Sequence, residues 1–222
     1  MRKLGIVAIA TLLMLVAATL TFAAPVSAAS DNSTRASIDQ TKASLQASVQ
    51  EQKNQIYIEI GTQRLDNYNK VLSAENGQIA NMSAKGYDVS GLQAVVSDAQ
   101  ANVVTPLQNA VDTGNGTVIK AQLKAACLDN GMPYSDHYAA KINLARLTAV
   151  DNKLLAMVNN TTIQGQLSDV NAKLTNVQGQ LNTIGTNPYT GSQKDDVWNG
   201  LKAAAQELKT AISEINANHH HG

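Results

Sequence analysis

The chain has one cysteine, four prolines and few aromatic side chains, which make up 4% of its 222 residues. A single thiol, Cys127, excludes an internal disulfide. Scarce aromatics and a surplus of Ala, Gln, Asn, Ser and Thr suit long helices with amide-coated faces better than a sheet. Charge of one sign is missing as well: 17 Lys and Arg balance 17 Asp and Glu. Without a basic excess or a Lys/Arg cluster, the electrostatic footprint of nucleic-acid binding is absent, and strong attraction to an anionic membrane is equally unmotivated. No Gly-rich phosphate loop, serine nucleophile elbow or zinc-ligand spacing occurs, so no cofactor and no catalytic set are implied. Asp195 and Asp196 are explained by a helix start, where negative charge favours the dipole.

What is present begins at the N-terminus. Arg2 and Lys3 precede an apolar run from Leu4 to Ala23, followed by Pro25, Val26, Ser27, Ala28 and Ala29. A charged start, an apolar core and a small-residue exit are the pattern of a secretory signal peptide over residues 1–29. The protein is therefore expected outside the cytoplasm, secreted or in the cell envelope or periplasm. The rival is an uncleaved N-terminal anchor, because the run is near the roughly 20 residues that span a bilayer. No later segment approaches that length, so no membrane span is expected after cleavage. Loss of Arg2 and Lys3 leaves 15 basic against 17 acidic side chains.

Beyond residue 30 the periodicity is helical, and the expected fold is all-α: an elongated multi-helix bundle over residues 30–160, a C-terminal antiparallel coiled-coil hairpin over 161–217, and a His-rich tail over 218–222. Ile38, Val49, Ile60, Val71 and Met82 recur every eleven residues, close to three helical turns, and predict an apolar stripe along a long first helix, widened by Leu45, Ile56, Tyr57, Leu65, Tyr68, Leu72 and Ile79. Gly86 is placed to end that helix in a left-handed Schellman stop, with Tyr87 touching Met82. Ser90 and Gln93 read as a capping box for the next helix. Pro106 predicts a kink, or a new turn capped by Thr105. Gly114, Asn115 and Gly116 read as a turn, followed by a helix from Thr117 to about Asp129.

Ser135 and Asp136 open a further helix with a seam at Tyr138, Ile142, Leu147, Val150, Leu154 and Val158. Residues 159–162 leave a bend and a continuous helix equally open. Leu167, Val170, Leu174, Val177, Leu181 and Ile184 alternate steps of three and four, and Trp198, Leu201, Ala205, Leu208, Ile212 and Ile215 do the same across a short loop, which predicts the hairpin. Gly165 and Gly179 suggest close approach of another helix, and Trp198 an anchor at the hairpin's mouth.

Lys85, Gly86, Tyr87, Asp88, Val89, Ser90 and Leu92, between two helices behind a signal sequence, resemble a turn in uncharacterised exported all-helical proteins of archaea, methanogens among them. The resemblance covers about ten residues and implies a prokaryotic cell envelope. Leu174, Thr175 and Gln178 also resemble the Leu-Thr-x-x-Gln signature of exported helical chaperones of bacterial envelope stress.

Candidate sites are few. Cys127 reads as a small buried side chain, the alternative being an intermolecular disulfide. His219, His220 and His221 are the weak metal candidates; adjacent helical residues diverge by about 100° and cannot converge on one ion unless the tail unwinds. His137, with Met82 or Met132, could ligate haem in a bundle, but in a first helical turn it reads as an ordinary exposed polar residue. Sequons occur at Asn32, Asn81, Asn115, Asn159 and Asn160; Asn81 is expected within a helix, and Asn32, Asn115, Asn159 and Asn160 would accept glycans in a host that glycosylates exported proteins. The expected function is a non-catalytic envelope or extracellular interaction module with an unidentified protein or envelope partner, able to oligomerise. A holdase-like chaperone and a haem- or metal-binding bundle are the alternatives.

Overall fold

The computed structural model describes residues 31–126, 133–185 and 190–219, which are almost wholly helical and contain no strand. The elements are α1 (Asp31–Ala84), α2 (Ser90–Ala99), a π-helical turn (Gln100–Val104), α3 (Thr105–Asp112), α4 (Gly116–Ala125), α5 (Pro133–Met157), α6 (Thr161–Ile184) and α7 (Gly191–His219). The chain divides into two units between Gln52 and Lys53. In the first, every side chain described from Arg35 to Gln52 is exposed, including Ile38, Leu45 and Val49.

In the second unit the stripe of α1 divides: of its eleven-residue positions Ile60 and Met82 are half-buried against the core. Val71 is exposed, while Leu65, Leu72 and Ile79 are buried and Ile58, Tyr68 and Met82 pack against them. Those positions repeat every seven residues, because a helix that lies along neighbouring helices keeps a heptad contact line.

The stop after α1 forms as expected. Gly86 has φ 75°, its N–H donates to the Ser83 carbonyl at 2.8 Å, and the Tyr87 N–H donates to the Met82 carbonyl at 3.1 Å. The Lys153 ammonium sits 4.2 Å from the centre of the Tyr87 ring and bonds the Lys85 carbonyl, which ties the end of α5 to this turn. The capping box at Ser90 and Gln93 does not form. Asp88 caps instead, its Oδ1 accepting from the Ser90 N–H at 3.0 Å, and that bond holds its carboxyl below the usual value. A capping box does form at Thr190 and Gln193, where Oγ1 accepts from the Gln193 N–H and Oε1 from the Thr190 N–H, so Thr190 opens α7.

Thr105 does not cap α3; it is helical, and its N–H reaches back five residues to the Gln100 carbonyl. That wide turn lets Pro106, which has no N–H to donate, enter the first turn of α3. The α4 start is held against α1: Gly116 donates its N–H to Asn54 Oδ1, and a Cβ there would lie 2.5 Å from the Asn54 carbonyl oxygen. Only glycine fits that approach.

Two apolar clusters share α5. Tyr138, Ile142 and Ala145 face the cluster built with α1 to α4, whereas Ala140, Leu144, Leu147 and Leu154 face the one built with α6 and α7. The single seam expected on α5 is thus two, nearly opposite, as for a helix apolar all round. A break after Met157 settles the open junction, with Asn160 capping α6. All six seam positions of α6 are buried. On α7 the seam is displaced by one residue: Val197, Leu201, Ala204, Leu208 and Ala211 are buried, while Trp198, Ala205, Ile212 and Ile215 are half-buried flanks. Trp198 packs against this cluster from the flank. Contacts of Gln166 with Glu214, Lys173 with Glu207 and Val177 with Gly200 give α6 and α7 opposite chain directions. Close approach occurs at Gly200, where a Cβ would sit 2.5 Å from Val177 Cγ2, and not at Gly165 or Gly179, which face open space.

Candidate functional site

The two faces of α5 each border a cleft. On one side, Asp98 near the end of α2 gathers donors from α5 and the π turn. The Tyr138 hydroxyl donates to Oδ2 at 2.9 Å, the Asn102 amide to Oδ1 at 2.6 Å, and the Lys141 ammonium lies 3.6 Å from Oδ2. Lys141 also sits 5.3 Å from the centre of the Tyr138 ring, against which His137 packs edge-on at 5.8 Å. The wide turn matters here, because it carries Asn102. These residues, with Leu181, Asn182 and Gly185, line a polar cleft of about 610 Å³.

His137 is 6% exposed, contrary to its reading as an exposed first-turn residue. Burial, and next the Lys141 charge, push its pKa down to about 4 against the opposing pull of Asp98. The imidazole is neutral at pH 7. Met82 packs with Tyr87 in the cluster of α1 to α4 and does not line this cleft, and Met132 lies outside the described residues.

On the opposite side of α5, against α1, lies an apolar pocket of about 410 Å³. Tyr68, Val71, Leu72 and Ile142 supply its apolar wall, while Arg64, Glu75, Asp136 and Arg146 bring charge to it. Arg146 Nη2 bonds Glu75 Oε2, and Asp136 pairs with the Lys194 ammonium at 2.8 Å. Arg146 Nε is buried with no hydrogen-bond partner among the described residues. Asp151, further along α5 on the face of Leu144 and Leu154, is fully buried, and burial raises its pKa.

The sites expected from the sequence are scattered. Cys127, His220 and His221 lie outside the described residues, and His219 is the last residue of α7. Asn32 and Asn81 are on α1, and Asn81 is exposed. Asn159 is exposed in the α5–α6 junction. Asn115 and Asn160 are helix N-caps: each side-chain oxygen accepts from the N–H groups two and three residues on, Thr117 and Val118 in one case, Thr162 and Ile163 in the other. Capping accounts for both asparagines without a glycan. Asn160→Ala is expected to cost about 1 kcal/mol in chemical denaturation, with Asn160→Asp close to neutral.

Among the described residues, no group of three His, Cys, Asp or Glu side chains could hold a metal ion, and no helix is long and apolar enough to cross a membrane. Sequence reading missed Asp98, Lys141, Arg64, Arg146 and Asp151. No protein-family model, curated protein or solved structure matches the chain.

Proposed function

We propose that the protein is an exported, non-catalytic interaction or structural module of the cell envelope or extracellular space. It works through helix surfaces without nucleic acid or cofactor, and its architecture is an elongated bundle closed by a C-terminal antiparallel coiled-coil hairpin. One observation carries this reading: from Arg35 to Gln52, α1 buries no side chain, yet presents Ile38, Leu45 and Val49 on one side at 60%, 38% and 38% exposure. Steps of seven and four hold these three within about 40° of each other. A helix with an apolar stripe and polar flanks is stable against another apolar surface rather than in water.

A second copy of the chain covers that stripe with the same apolar side chains, Ile38, Leu45 and Val49. Leu45→Glu with Val49→Glu is expected to abolish self-association in sedimentation velocity, leaving helicity by circular dichroism unchanged. The holdase alternative is favoured by the same exposed stripe and separates from this reading by one assay. Suppression of aggregation of an unfolded client by the wild type, lost in the double variant without any change of oligomeric state, would replace self-docking by client binding.

A further inference from the structure

We propose that the pocket between α1 and α5 binds a small amphiphilic carboxylate, with the apolar tail against Val71, Leu72 and Ile142 and the carboxylate at Arg64. Two observations converge. First, the pocket is walled largely by apolar side chains, and Val71, one of them, is 51% exposed although it faces a recess. An apolar ligand covers that surface, and removal of apolar area from water drives the binding. Second, Arg64 is half-buried on the pocket and makes no ion pair among the described residues.

The charge count selects the class of anion. With Arg146 balanced by Glu75, and Asp136 by Lys194, one cation at the pocket, that of Arg64, is uncompensated among the described residues. A monoanion matches it. A dianionic phosphate would bring a second negative charge toward Glu75 and Asp136. The size follows from the volume: at about 30 Å³ per water-sized group, about 410 Å³ holds on the order of a dozen non-hydrogen atoms, the size of decanoate.

The test is titration of the protein with decanoate and, separately, decanol, followed by calorimetry and by amide shifts on α1 and α5. Saturable decanoate binding is expected. Arg64→Gln should weaken it about tenfold, the loss of one charged hydrogen-bonding contact, while decanol affinity stays as it was. Ala139→Leu, which adds volume at the pocket wall, should remove both ligands, with circular dichroism reporting that the variant is folded. The proposal is overturned if decanoate does not saturate. It is equally overturned if Arg64→Gln binds decanoate as the wild type does, or if binding survives in folded Ala139→Leu, which would place the ligand on the exposed stripe of α1.

Discussion

Ala204→Glu is expected to unfold the packing of α6 against α7, whereas Ala205→Glu, one residue on, should leave it nearly intact. Ala204 is 0% exposed in the cluster with Val197, Leu201 and Leu208, so a carboxylate there loses its water and finds no cation. The cost of an unpaired buried charge is about 3–5 kcal/mol, a large fraction of what holds a domain together. Ala205 is half-buried, and a glutamate at that position can extend to solvent, for a cost below about 1 kcal/mol. Thermal denaturation of the two variants side by side decides which face of α7 is the seam. Equal loss in both would return the seam to the line of Trp198, Ala205 and Ile212.

The second large effect has the opposite sign. Asp151→Asn is expected to stabilise the protein by about 1–3 kcal/mol at pH 8, because it removes a charge that burial penalises. Asp151 is 0% exposed; Asn171 Nδ2 lies 3.5 Å from Oδ2, and Oδ1 has no partner among the described residues. Desolvation raises its pKa above the usual 3.8, and the Asn171 bond only partly opposes this. Above pH 4 the folded state therefore holds this proton more tightly than the unfolded chain, and stability falls as pH rises through the raised pKa. His137 acts the other way. Its pKa is depressed to about 4, so the unfolded chain takes up the proton first as pH drops below 6.5, and stability from this group is lost toward pH 4. Urea midpoints from pH 4 to 8 should show Asp151→Asn steepening the rise of stability with pH. A variant no more stable than the wild type at pH 8 would mean that Asp151 is paired in solution.

How far the residues foretold these features depended on range. The Schellman stop at Gly86 was legible, because glycine in the left-handed conformation and the following Tyr87 act within one turn. The α6 seam was legible too, since Leu167 to Ile184 has one apolar phase and one neighbour to choose. On α7 the run Ala203, Ala204, Ala205 offers two phases, and Gly200 decides between them only once Val177 is seen against it. The stripe of α1 was legible as apolar, but which of its positions are covered was not, because periodicity reports a face without reporting what covers it. Asp98 and Tyr138, forty residues apart, form a bond for which no local pattern exists. The π turn left a single trace, Pro106.

Light scattering in line with size exclusion, run across a range of concentrations on the wild type and on Leu45→Glu with Val49→Glu, addresses the interaction surface directly. The account predicts that the wild type rises with concentration to twice the chain mass, and that the double variant stays at the mass of one chain with its helicity intact. A wild type that holds the mass of one chain at every concentration would contradict self-docking through Ile38, Leu45 and Val49.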